Sequence, residues 1–316
     1  MPHADWNMML ALGLLLASAL LGGQLAQMIR LPRVTAYLFV GLLLGPQTLN
    51  AITARDLVYL DPVGKLAMAL VLFNVGCHFT LVVLRRLMRR GLQLSGGELG
   101  LTLTLVTGGL LLLGQPWQLA LLLGAIALAT APATTILVFK ENHSEGPVTE
   151  LATFLVVINN LMSVVVFEVL LLGIHFMGGA LAQPFHIELW HLVRDLIGSI
   201  GLGLVAGLVV SYGCGLLAKP RWFVLLVAVA TLLLGAAEAL HVPYLLTFLA
   251  MGITVANLSD QEKEISAELD HFTGLLCVVF FVIHGAELNW RLLFEAGDQG
   301  LLLLAPAYLV LRSLGK

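Results

Sequence analysis

The sequence predicts an all-α polytopic membrane protein, and three observations carry that expectation. Hydrophobic residues make up 59% of the chain and charged residues only 11%, far more apolar than a water-soluble globular protein. Apolar runs of about twenty residues, the length that crosses a bilayer, recur from end to end. The basic residues gather in alternate connections, the asymmetry that orients a membrane protein. A water-soluble fold would instead need many long buried helices with almost no polar faces.

Eleven spans are expected, at about 6–29, 34–52, 63–84, 95–115, 117–139, 148–175, 190–218, 222–239, 241–258, 271–290 and 300–316. The first run follows Asp5 without a basic segment before it and is long enough to cross, so it reads as a true first helix. The connection between the third and fourth spans holds Arg85, Arg86, Arg89 and Arg90, which should stay in the cytoplasm. Arg30, Arg33, Lys140, Lys219, Arg221 and Lys263 fall on that same side. Only Arg55 and Arg291 fall opposite, with Lys65 just inside a span. The chain is therefore expected in the plasma (inner) membrane with its N-terminus outside. A connector from Phe176 to Leu189, with Gly178, Gly179 and Pro184 and no Lys or Arg, divides it into halves. The connector Ser259 to Asp270 is acidic and solvated, with room for a short surface helix.

The stretch from Trp117 to Gly173 organises the rest. Its first helix, 117–139, is interrupted by Thr130, Ala131, Pro132, Ala133, Thr134 and Thr135. Proline removes a backbone donor and the threonines supply hydroxyls, so the backbone breaks there and offers polar groups to whatever lines it. A broken helix beside a polar pair is a common way for secondary transporters to build an ion site. The next span carries such a pair, Asn159 and Asn160, about twelve residues from its cytoplasmic end, or roughly 18 Å deep. Arg312 lies at a similar depth in the last span, again roughly 18 Å by the helical rise. An arginine there costs at least ~2.5 kcal/mol on insertion scales and marks a functional site by default. The alternatives are interhelical hydrogen bonding for the asparagines and back-bonding to the helix's own carbonyls for the threonines.

Several motifs resemble one family. Leu31-Pro32-Arg33-Val34-Thr35-Ala36-Tyr37, leading to Gly41 and Gly45-Pro46, is similar to the second-helix signature of the monovalent cation:proton antiporter superfamily, the sodium/proton exchanger fold. Thr130-Ala131-Pro132-Ala133-Thr134 resembles its first discontinuous helix, and Asn159-Asn160 occupies the place of its ion-site pair. Phe280-Phe281, Gly285-Ala286-Glu287-Leu288 and the closing Arg312-Ser313-Leu314-Gly315-Lys316 are similar to later motifs. The resemblance implies one transmembrane transporter domain over 1–316, with inverted repeats and discontinuous helices. The first repeat would hold the broken helix 117–139, a linker helix would run over 190–218, and the second repeat would be incomplete at 316. About eleven of the family's thirteen helices are accounted for, so the natural chain is expected to continue. A homodimer is implied by the family alone.

One departure bears on mechanism. The family's electrogenic members carry Asp-Asp at the pair and its electroneutral members Asn-Asp, the second aspartate binding cation and proton in turn. Here Asn160 stands in that place. An amide has neither a titratable proton near neutrality nor a net charge, so it contributes only a dipole. Another group must then carry the proton. Glu168, eight residues on, lies within about 80° of Asn160 on the same helix and roughly 12 Å further out. His78, His284 and Glu287 are the other candidates, against core packing for the histidines and solvation at a span end for Glu287.

The expected function is exchange of a monovalent cation, Na+ or K+, for protons by alternating access. Its site residues would be Thr130, Pro132, Thr134, Thr135, Asn159, Asn160 and Arg312. The alternative is a transport-silent or uncoupled relative acting as a channel-like pathway or membrane sensor. An anionic or neutral substrate is a variant, since Arg312 facing two amides leaves the site net positive. The formal net charge of -3, without a basic stripe, points away from nucleic acid. Cys77, Cys214 and Cys277 lack metal-ligand or redox spacing. No phosphate loop or nucleophile-base array suggests an enzyme, and no cofactor is expected.

Overall fold

A computed structural model describes residues 8–29, 31–142, 144–178, 185–218, 221–259, 261–289 and 299–316. Among them twelve helices form, with no strand. They are α1 (Met8–Met28), α2 (Arg33–Leu44), α3 (Ala54–Cys77), α4 (Leu81–Leu112), α5 (Trp117–Leu128), α6 (Pro132–Glu141), α7 (Pro147–Gly178), α8 (Phe185–Leu216), α9 (Trp222–Leu240), α10 (Tyr244–Leu258), α11 (Glu262–Glu287) and α12 (Gln299–Gly315). Six of the described helices are long and apolar enough to cross a membrane, and five shorter apolar ones accompany them. Residues 179–184 of the dividing connector lie outside the described residues, as do Arg30, Lys219 and Arg291 of the orienting charges.

Several boundaries differ from the sequence expectation: α3 runs over Ala54–Cys77 rather than 63–84, and three others differ for a local reason. The four arginines do not form a connection: α4 starts at Leu81 and carries them in its first turns. Arginine and leucine are strong helix formers, so charge alone does not end a helix. The acidic segment before the tenth span likewise belongs to α11, which begins at Glu262. In the opposite sense, α2 stops at Leu44 rather than near 52. Pro46 cannot continue it, and Leu49, Asn50 and Ile52 turn their N–H groups back onto the carbonyls of Leu43, Gly45 and Leu44. Thr53 then opens α3 with a capping box, its hydroxyl accepting from Asp56 N while Asp56 accepts from Thr53 N at 2.9 Å.

The chain divides into two compact units. The first comprises residues 1–80 and 199–292. Its helices meet at glycines: a Cβ on Gly41 would strike the Val282 carbonyl and one on Gly285 the Leu38 carbonyl, so α2 and α11 touch backbone to backbone. Gly76 and Gly252 bring α3 and α10 together in the same way, the Gly76 position lying 2.8 Å from a Cβ added to Gly252. Small residues at crossings are the means by which membrane helices pack without a hydrophobic driving force. A polar cluster is buried beside them: Asn74 Nδ2 donates to Thr273 Oγ1, and Ser266 Oγ donates to Asn74 Oδ1, each at 3.1 Å.

The second unit comprises residues 81–198 and 293–316. It contains α4 to α7, the start of α8, and α12. Val106 and Leu110 of α4 pack with Ala120 and Ala127 of α5, against Tyr308 and Leu311 of α12. Gly91 admits the Phe154 ring of α7, and Gly109 admits Leu311. This unit holds the broken helix.

Candidate functional site

The site is built around the ends of α5 and α6. Helix α5 ends at Leu128, and α6 opens on Pro132 at the first helical position, where a missing N–H costs nothing. That proline has a consequence upstream. In a continuous helix the carbonyl of Leu128 would accept from residue 132, which here has no N–H to give. Ala129 N turns instead to Ile126 O, leaving the Ala125 carbonyl free as well. Buried carbonyls of this kind require donors from elsewhere.

Four side chains supply them. Ser163 Oγ of α7 donates to Ala125 O at 3.1 Å. Lys316 Nζ donates to Leu128 O at 2.7 Å, and also to Thr130 Oγ1 at 2.7 Å. Arg312 Nη2 of α12 donates to Ala129 O at 2.6 Å. Asn160 Nδ2 donates to Thr130 O, and to Val156 O of its own helix at 2.9 Å. Two of the donors are cations placed at a helix C-terminus, where the backbone partial charge is negative. Arg312 of α12 and Lys316, the residue just past the end of that helix, stand four residues apart, and Lys316 N donates to Arg312 O at 3.1 Å.

The break therefore brings together Thr130, Asn160 and Arg312. Asn159 points another way: it is buried and its Oδ1 accepts from Ser95 Oγ of α4 at 2.6 Å. Thr135 back-bonds Ala131 O at 2.9 Å, the local alternative for a helical threonine. Thr134 and Pro132 are half-buried on α6. Glu168 is exposed on α7. The remaining proton-carrier candidates belong to the first unit. His78 caps the end of α3, its Nδ1 2.7 Å from Asn74 O. His284 lies against the Phe280 ring, with Nδ1 2.9 Å from Phe280 O, and Glu287 ends α11 in an exposed position.

Sequence reasoning passed over Ser95, Ser163, Lys316 and Glu98 as site residues. Glu98 of α4 pairs with Lys316 at 3.0 Å, each side chain one fifth exposed. The signal for it was in α4, where Glu98 follows Arg90 by about 12 Å of helical rise. A fourth span drawn over 95–115 leaves that glutamate close to a span end. The pair is set by packing: Gly315 sits against Thr102, whose Cα would lie 2.7 Å from an added Cβ, and Thr102 is one turn beyond Glu98. A groove of about 530 Å³ opens beside the pair, lined by Gln93, Gly97, Leu101, Leu155 and Leu314 together with Glu98 and Lys316.

The family model for the transmembrane sodium/hydrogen exchanger matches residues 15–316. The structure of the sodium proton antiporter MjNhaP1 from Methanocaldococcus jannaschii at pH 8 is similar, with a TM-score of 0.72 and 23% identity, over 98% of this chain and 77% of that one. An electron-microscopy structure of the same antiporter gives a TM-score of 0.73 and 22% identity over the same shares. A protein of Methylorubrum extorquens, described as uncharacterised and in the phaC 3′ region, is 38% identical over 82 residues. That match spans 26% of this chain and 28% of the relative. The all-helical fold is thus that of the NhaP1 antiporter. The chain is a multi-pass integral membrane protein that belongs to the sodium/hydrogen exchanger family, a family of transporters for cation/proton antiport.

Proposed function

We infer that the chain exchanges a monovalent cation, Na+ or K+, for protons by alternating access. The observation that carries this reading is the interrupted helix α5–α6, whose freed carbonyls meet Asn160, Arg312 and Lys316. Irregular backbone in a membrane protein persists only where protein or a water-filled cavity satisfies it, and transporters place their ion sites there. Thr130, Pro132, Thr134, Thr135, Asn159, Asn160 and Arg312 form the ion region in this reading. Family membership supports antiport as the class of activity. The protein works as a homodimer in the plasma (inner) membrane, N-terminus outside, with no chemical catalysis.

A second reading is favoured by one specific observation. The pair is Asn159-Asn160, and the carbonyls of Leu128, Ala129 and Thr130 are each held by the chain's own donors. A relative so arranged would be uncoupled or transport-silent, acting as a pathway or sensor. The two separate in liposomes carrying an entrapped pH dye. Proton movement on addition of sodium, potassium or lithium supports exchange; silence of the native-length protein with every cation sinks it.

A further inference from the structure

We propose that Glu98 is the exchangeable carboxylate of this protein, a site for one monovalent cation or one proton, with Lys316 as its built-in counter-ion. The proposal rests on the exchanger reading for its transport consequence, though not for the binding it asserts.

The asparagine pair lacks a titratable, charge-bearing group. An exchanger needs a group that alternates between a cation and a proton, and an amide does neither. Arginine does not deprotonate in proteins, so Arg312 is no substitute. The carboxylate that the described contacts bring to the cluster is Glu98, 3.0 Å from the same lysine that donates to Leu128 O and Thr130 Oγ1. An ionisable residue well inside a membrane helix faces a partner or a water-filled cavity, and is functional by default. Glu98 has such a partner in Lys316, at 3.0 Å.

Among the described residues, few charged groups face Glu98. Lys316 faces it from the end of α12, and Arg312 is near enough to act on the Lys316 charge. Along the groove α7 presents Leu155 and α4 itself presents Gln93, neither of them charged. With Lys316 paired, the Glu98 carboxylate and the ammonium cancel. A cation at the carboxylate displaces the ammonium and leaves one positive charge; a proton on the carboxylate leaves the same. Cation and proton therefore compete for one group at equal charge, and coupling through it is one for one and electroneutral. Freed from Glu98, the ammonium keeps its two bonds to the break, so occupancy of the carboxylate is sensed at α5–α6.

The test uses the purified native-length chain with sodium, potassium or lithium chloride as the probe, against choline chloride. Cation-induced thermal stabilisation in detergent reads binding, and an entrapped pH dye in liposomes reads exchange. In Glu98→Gln both are expected to fall about tenfold or more; in Lys316→Met, which removes the competing ammonium, half-saturation is expected at about tenfold lower cation. Unchanged stabilisation in both variants overturns the proposal, as does full exchange by Glu98→Gln. Should Glu98→Gln fail to purify as a single species, the Lys316→Met shift decides alone. Glu98-dependent binding without proton movement would leave this site standing and remove the exchange reading. A native protein that neither binds nor exchanges overturns both.

Discussion

Ser95 of α4 donates its hydroxyl to Oδ1 of Asn159 on α7 at 2.6 Å, and both side chains are buried. The bond ties the helix bearing Glu98 to the helix bearing the asparagine pair. A buried amide oxygen left without its donor costs about 1–3 kcal/mol. Ser95→Ala should therefore lower stability by that amount, seen as a reduced Tm in detergent, whereas Ser95→Thr, which keeps the hydroxyl, should lose less. Equal Tm for Ser95→Ala and the native protein would contradict the bond.

Asn160→Asp replaces a donor to the Thr130 carbonyl by a carboxylate, which sets like partial charges face to face. The variant should lose stability in choline buffer and recover it in sodium or lithium, because a cation can bridge the carboxylate and the carbonyl. Asn160→Ala should lose stability irrespective of the salt. Tm measured across the salts for both variants checks the contrast, and identical profiles would refute it.

Arg312→Met removes a charge-assisted bond to Ala129 O that measures 2.6 Å. Bonds of that type contribute about 1.5–3 kcal/mol. A loss of stability in that range is expected, with Arg312→Lys only partly restoring it, since an ammonium lacks the guanidinium's reach and planar fork. Denaturation monitored in detergent provides the comparison.

The glycine crossings predict a sharp asymmetry among glycine-to-alanine changes. Gly252→Ala and Gly41→Ala drive a methyl into the carbonyls of Phe73 and Val282, backbone atoms that cannot swing aside. Both should abolish recovery of folded protein. Gly13→Ala on α1 meets nothing within 4 Å and should be neutral or stabilising by up to about 1 kcal/mol. Yield of monodisperse protein separates the two classes.

The spans were legible because hydrophobic length depends on composition alone. The break was legible too, since Pro132 among threonines names its own position. What the sequence concealed was the pairing. Helical rise set Asn160 near the depth of Thr130, but nothing local says that its amide meets a carbonyl while Asn159 turns to Ser95. Glu98 and Lys316 lie far apart in the chain, and their meeting depends on the seat of Gly315 against Thr102. The arginines misled for a different reason: a cluster of charge marks the end of a membrane span, not the end of a helix.

The crossings of α2 with α11 and of α3 with α10 have a bearing on motion. Where two backbones touch through glycine there is no side chain to act as a roller, and each ridge of carbonyls is keyed to the neighbour's notch. Sliding one helix along the other by even a single residue would bring a bulky side chain into the notch. Each pair must travel as a single girder, so any working stroke of the protein is taken up at connections and helix ends rather than within these pairs.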